Sequence, residues 1–280
     1  MTDNRTFISP RELQRLVAQR DRSVAVIDVS WLLGRDVGKA YYERAHLPNA
    51  KFIEFEKVLS DLPGGKGRHP LPQAKDVEEA LSEVGVNSSD FVVFYDQGDS
   101  LAASRGALTL RHFGHRSVAV LLGGFQRWTA EGNAVSTEIA SVEASEFRFD
   151  EANRKEIFVE VNYVLEGKAC LIDVREQVRY LGISEPIDKV AGHIPGALNL
   201  PYSSVFHPTT GLNQLVLESF FTEHRLGPDS LMTTYCGSGV TASFMALALE
   251  YLGMQDAKVY VGSWSEWVED PTREVSVNTE

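Results

Sequence analysis

A chain of 280 residues with 43% hydrophobic and 24% charged side chains can bury one large or two ordinary cores, which excludes an intrinsically disordered protein. Its formal net charge of −12 repels a polyphosphate backbone, so nucleic-acid binding is not expected, and an anionic substrate must be met by a few local arginines or by backbone N–H groups. Two cysteines, Cys170 and Cys236, provide neither a disulfide framework nor a CxxC metal site, and no apolar run approaches the roughly 20 residues of a membrane span.

The opening "MTDNRTFISPRELQRL" lacks the basic-then-apolar order of a secretory signal, and a cytoplasmic location is expected. Ser9 as N-cap and Pro10 in the first turn predict a helix over 11–18. There follow "VAVIDV" (24–29), with Trp31 just beyond it, "AHLPNA" (45–50), "RHPLP" (68–72) and "FVVFYD" (91–96). After that come a small-residue loop, an apolar helix stopped by Gly114, and "VAVLLGGFQRW" (118–128). A polar, aperiodic stretch occupies about 132–155. The second half then answers in the same order: "ACLIDV" (169–174), "GHIPGA" (192–197), "LMTTYC" (231–236), a helix starting near Thr241 and stopped by Gly253, and "AKVYVGSWSEW" (257–267).

Four matched blocks in one order mark a duplication. The expected organisation is an N-terminal domain over 1–135, a linker over 136–156 and a C-terminal domain over 157–280. Short continuous apolar runs separated by helical patterns read as strands buried on both faces, so each domain is expected to be α/β, a mostly parallel sheet flanked by helices. Ligands of such sheets sit beyond the carboxyl ends of the strands. At one such end the second copy has Cys236; the first has Asp96.

Gly237, Ser238 and Gly239 follow Cys236 and let successive N–H groups turn inward, and Val240 and Thr241 complete the ring where the helix begins. Such a ring, reinforced by the helix N-terminus, favours a thiolate and an anionic intermediate. Cys170, inside an apolar run, reads instead as a core residue. A cysteine phosphatase would need an arginine six positions after the nucleophile to clamp phosphate, and that position is Ala242. A cysteine hydrolase would need a general base and a carbonyl-sized oxyanion site, and would leave the duplication unexplained.

These motifs resemble the two-domain rhodanese-type sulfurtransferases across essentially the whole chain. "GHIPGA" and "AHLPNA" are similar to that family's first signature, and "VYVGSWSEW" to its C-terminal one, with Val261 as a departure. "CGSGVT" is similar to the mercaptopyruvate version of the catalytic loop. The resemblance implies that Cys236 takes a sulfane sulfur as a persulfide from a small anionic donor, 3-mercaptopyruvate or alternatively thiosulfate. A thiol acceptor, a thioredoxin-like protein among the candidates, or cyanide then removes it. No cofactor or metal is implied.

The resemblance further implies a catalytically silent first domain, with Asp96 where the cysteine is lost. It implies a relay from Ser238 to His69 to a carboxylate, Glu56 or Asp61, and an anchoring role for Arg179 on the donor. Trp31 is a candidate pocket wall, and Arg175 reads as a surface or helix-cap residue. Members of the mercaptopyruvate type usually have a second arginine after the "EP" pair; here Glu185 and Pro186 are followed by Ile187, which leaves Lys189 as the substitute cation and thiosulfate in contention. His46 and His193, kept in both copies, are expected to be structural. A reading of another class is a sulfur-carrier or protein-binding module with little turnover.

Overall fold

The structure, a computed structural model, describes residues 5–19, 23–139, 142–254 and 256–277. It divides into two units, one of Met1–Asp61 and Pro72–Lys155, the other of Leu62–Leu71 and Glu156–Glu280.

The first unit contains β1 (Phe7–Ile8), β2 (Val24–Asp28), β3 (Lys51–Phe52), β4 (Phe91–Tyr95) and β5 (Val118–Leu121), all parallel, in the order β1-β5-β4-β2-β3. Its central strand β4 is buried along its whole length, as a sheet covered by helices on both faces requires. The first helix, Pro10–Ala18, begins with the expected cap: Ser9 accepts from the Glu12 amide and Glu12 reaches back to the Ser9 amide. The helix Leu101–Phe113 ends at Gly114 in the left-handed conformation. The stretch 132–155 packs on this unit, burying Phe147 completely and hydrogen-bonding the Ser145 and Phe147 amides to Ser82.

The second unit repeats the plan. Strands β6 (Phe158–Val159), β7 (Cys170–Asp173), β8 (Leu198–Asn199), β11 (Met232–Tyr235) and β12 (Lys258–Tyr260) form a parallel sheet in the order β6-β12-β11-β7-β8, the order of the first unit strand for strand. A short antiparallel pair, β9 (Phe206–His207) and β10 (Gly211–Leu212), is added. Each central strand ends in a buried tyrosine whose hydroxyl accepts an amide of the HxP loop: Leu47 to Tyr95 at 3.2 Å, Ile194 to Tyr235 at 3.1 Å. The HxP histidines bind backbone carbonyls, His46 Nδ1 that of Tyr42 and His193 Nδ1 that of Tyr180, and each ring stacks on that same tyrosine. They are structural, as their presence in both copies suggests. Among the described residues no helix is long and apolar enough to cross a membrane and no cluster of metal-ligating side chains occurs.

Candidate active site

Cys236 follows β11 directly, and the helix Val240–Tyr251 begins four residues later. Between them the loop is clamped from behind. The amides of Trp264 and Ser265 donate to the carbonyls of Cys236 and Gly237, both at 3.0 Å, and the Cys236 amide donates to Ser263 Oγ. With its carbonyls drawn toward the helix Ser263–Trp267, the loop turns amides the other way, and the Gly239 N–H points at Cys236 Sγ at 3.1 Å. Gly239 has φ +77°, and a Cβ there would lie 2.5 Å from the Val261 carbonyl oxygen, so the amide can take this direction only from glycine. The two sequence motifs "CGSGVT" and "VGSWSEW" are thus one device, a nucleophile loop and its clamp. Cys236 is 3% exposed, which restricts access to small donors and slender acceptors.

The first unit keeps the clamp and replaces the anion. Amides of Phe125 and Gln126 hold the carbonyls of Asp96 and Gln97 at 2.8 and 3.1 Å. The Asp96 carboxylate then accepts the amides of Gly98, Ser100 and Ala103 at 3.0, 2.9 and 3.1 Å. Burial pushes the Asp96 carboxyl upward, against the three amides that favour its charge. The ring that faces an incoming anion in one unit is filled by its own side chain in the other.

Ser238 and His69 meet: Ser238 Oγ lies 2.8 Å from His69 Nδ1, and both residues are buried. His69 belongs to the segment Leu62–Leu71 of the second unit, tied down by the Arg68 amide on Ser265 Oγ at 3.1 Å. Glu56, one of the two carboxylates considered for the relay, accepts the indole N–H of Trp31 at 2.7 Å, and Trp31 packs on Phe55.

Two arginines, Arg68 and Arg179, lie beside Gly237 of the loop. Arg179, on the short helix Gln177–Tyr180, forks onto Glu185 at 2.9 and 2.7 Å and reaches Asp188 at 3.2 Å. Burial acts to raise Glu185, but the hydrogen bonds from Arg179 and from the amides of Asp188 and Ile187 outweigh it and hold the carboxyl below its ordinary value. Asp188 is raised by burial despite its contact with Arg68. Lys189, the expected substitute cation, is 71% exposed and pairs with Glu269 at 3.1 Å. Arg175 is a correction: it is neither a surface nor a cap residue. Its guanidinium, 1% exposed, lies over Trp264 and binds Asp173 at 2.6 Å and the Gly192 carbonyl, because a delocalised cation can be desolvated against an indole face and a carboxylate. Cys170 is also less enclosed than a core residue; it is half-buried at the start of β7, in the wall of a cleft of about 770 Å³.

A rhodanese-like domain is matched twice, by residues 9–131 and 160–270. Over 278 residues, 98% of this chain and 97% of the relative, the sequence is 34% identical to the putative thiosulfate sulfurtransferase SseB of Mycobacterium tuberculosis. The chain belongs to the tandem rhodanese-type sulfurtransferases. This rhodanese is also 34% identical to the 3-mercaptopyruvate sulfurtransferase of Escherichia coli over 242 residues, 83% of each chain. The crystal structure of the 3-mercaptopyruvate sulfotransferase SseA from Escherichia coli superimposes with a TM-score of 0.77 at 30% identity, covering 93% of this rhodanese and 99% of SseA. Sequence reasoning placed the nucleophile loop, Ser238, His69 and Arg179, and the structure brings the first three into one cluster with Arg179 beside Gly237. It gave no role to Arg68, Asp188, Ser263 or Ser265. A repeated clamp was visible in "GGF" and "GSW"; nothing in the sequence pairs position 68 with position 188.

Proposed function

We propose that this rhodanese moves a sulfane sulfur from 3-mercaptopyruvate to a thiol or cyanide through a persulfide on Cys236. The observation that carries the reading is the Gly239 amide aimed at Cys236 Sγ from a glycine-only conformation, a donor already in place for the negative charge that the persulfide carries. Cys236 Sγ attacks the donor sulfur, and the C–S bonding pair departs as the enolate of pyruvate, which takes up a proton. An acceptor thiolate or cyanide then attacks the outer sulfur, and the S–S bonding pair returns to Cys236. Ser238 and His69, hydrogen-bonded beside the nucleophile, supply the route for the enolate's proton, and Arg179 anchors the donor's carboxylate. Gly237, Val240 and Thr241 complete the wall of the loop. The first unit is catalytically silent, because Asp96 offers a carboxylate already bound to three amides where a soft nucleophile is needed.

Thiosulfate is the second reading, favoured by the two guanidinium groups beside Gly237, which suit a dianion. Its transfer needs no proton, since the S–S pair leaves as sulfite. A cytoplasmic location and a thiol acceptor, a thioredoxin-like protein among the candidates, belong to the same proposal.

The test is a side-by-side assay of 3-mercaptopyruvate and thiosulfate with cyanide as acceptor, in the wild type and in Cys236→Ser. Thiocyanate should form only with Cys236 present, faster from 3-mercaptopyruvate, and donor alone should leave one extra sulfur on the Cys236 peptide by mass spectrometry. Turnover by Cys236→Ser would end this reading. A persulfide that forms but is released to no acceptor would make the protein a sulfur carrier.

A further inference from the structure

We propose that Ser265 is a positioning residue for the Ser238–His69 pair, holding the chain neighbour of each and so setting the distance between them. The inference rests on the reading of Ser238 and His69 as the route for the donor's proton, and it adds the group that brings their two segments into register.

Ser265 lies on the short helix Ser263–Trp267 and touches both segments. Its amide donates to the carbonyl of Gly237, the residue before Ser238, at 3.0 Å. Its Oγ accepts the amide of Arg68, the residue before His69, at 3.1 Å. From one segment to the other the path runs through the N, Cα, Cβ and Oγ atoms of a single residue, so the angle χ1 of Ser265 fixes how far Arg68 stands from Gly237. That rotamer is itself held. The buried hydroxyl donates to the Gly262 carbonyl at 3.0 Å, which leaves its lone pairs for the Arg68 amide.

The segment Leu62–Leu71 makes its close approach just before His69. Gly67 has φ +87°, and a Cβ there would lie 2.6 Å from the Gly262 carbonyl oxygen and 3.0 Å from Ser265 Oγ, so only glycine lets the backbone come down onto the clamp helix. At Gly64 and Gly65 a Cβ would meet nothing within 4 Å. The tight fit is therefore confined to the residues that lead directly into His69.

The first unit separates what the backbone does at this position from what the side chain does. Its equivalent residue is Gln126, whose amide keeps the clamp, donating to the Gln97 carbonyl at 3.1 Å. The Gln126 side chain, however, folds back over its own loop, where a Cβ at Gly98 would lie 2.8 Å from Gln126 Oε1. The clamping amide is common to both units and any residue other than proline supplies it. The small hydroxyl acceptor belongs to the unit that holds the nucleophile.

The test reads position and chemistry apart. Ser265→Ala keeps the amide on Gly237 and removes the acceptor of Arg68, and Ser265→Thr restores a hydroxyl. Rates with 3-mercaptopyruvate and with thiosulfate, cyanide as acceptor, are measured for the wild type, both variants, His69→Asn and the Ser265→Ala/His69→Asn pair, and hydrogen exchange of the 62–71 peptide is followed by mass spectrometry. In Ser265→Ala the ratio of kcat for 3-mercaptopyruvate to kcat for thiosulfate should fall roughly 10- to 100-fold, the cost of displacing a proton-transfer group by up to about 1 Å. Exchange at 62–71 should quicken, Ser265→Thr should recover most of both, and Ser265→Ala should lower the ratio no further once His69 is asparagine. A merely structural serine would slow both donors together and leave the ratio where it is. An unchanged ratio in Ser265→Ala while His69→Asn lowers it, a full additional loss in the pair, or unchanged exchange would overturn the positioning role. Faster exchange in Ser265→Ala with the ratio unmoved even by His69→Asn would leave Ser265 as the anchor that places His69 and remove the proton route instead.

Discussion

Ser238 Oγ and His69 Nδ1 lie 2.8 Å apart although 169 residues separate them in the chain. The contact joins the nucleophile loop to the segment Leu62–Leu71, and its chemical meaning depends on the leaving group. A carbon leaving group departs with an electron pair that must be protonated; sulfite departs as a stable anion. Ser238→Ala and His69→Asn should therefore lower kcat with 3-mercaptopyruvate by about a hundredfold, within the usual range for a positioned proton donor, and change thiosulfate turnover little. The double variant should be no worse than either single one, because the two side chains act as one unit. Steady-state rates with each donor against cyanide decide the matter, and equal losses on both donors would remove the relay.

Gly239 offers a test of the amide ring that leaves the sulfur untouched. Gly239→Ala must hold φ +77° and place a methyl 2.5 Å from the Val261 carbonyl, so the loop has to shift. The expected outcome is a loss of about 1–3 kcal/mol in stability together with a persulfide-formation rate lowered at least tenfold. Thermal unfolding and the rate of donor-dependent sulfur incorporation at Cys236 measure the two effects separately. A variant that folds with its loop displaced yet reacts at the wild-type rate would show that the Gly239 amide does not serve the chemistry.

Asp96 fills in the first unit the ring that Cys236 leaves open in the second. Asp96→Ala removes the acceptor of three buried amides at once, and each orphaned amide costs on the order of 1 kcal/mol or more. Urea unfolding should show a loss of about 3 kcal/mol or more, while sulfur transfer per folded molecule stays at the wild-type level. A loss of activity without loss of stability would give the first unit a part in catalysis that its chemistry does not suggest.

How far the sequence reaches is seen by comparing two arginines and one cysteine. The Cys236 loop was legible because its determinants are contiguous: an apolar strand, a nucleophile, glycines and a helix start within a few residues, echoed by the Asp96 copy. The duplication was legible for the same reason, as four local blocks repeated in one order, whereas the strand order that the two units share came from the structure. Arg175 was misplaced at the surface because its burial is decided by Trp264, which lies far along the chain. Arg68 was invisible because its partner Asp188 is 120 residues away and both are residue types that ordinarily face water. The stretch 132–155 read as polar connection, yet Phe147 within it is buried, since one aromatic ring is enough to anchor a segment whose periodicity is otherwise absent.

Asp28 and Asp173 end equivalent strands in the two units, and they differ in what stands two residues on. Asp173 meets Arg175, whereas Asp28 meets Ser30, whose amide donates to one oxygen at 2.8 Å. The other oxygen of Asp28 is buried with no partner, and burial pushes its carboxyl up to about 6, more strongly than hydrogen bonds from Ser30 and Tyr95 draw it down. A carboxyl whose value is higher folded than unfolded binds its proton more tightly in the native state. Its contribution to stability is complete below the unfolded value of about 4 and is lost as pH rises through about 6. A shift of about two units corresponds to about 3 kcal/mol at most. Asp28→Asn, which presents an uncharged amide where the protonated acid would be, should match the wild type near pH 3 and exceed it at pH 8. Urea unfolding of the two proteins across that interval measures the difference, and parallel pH profiles would show that Asp28 remains ionised in the folded protein throughout.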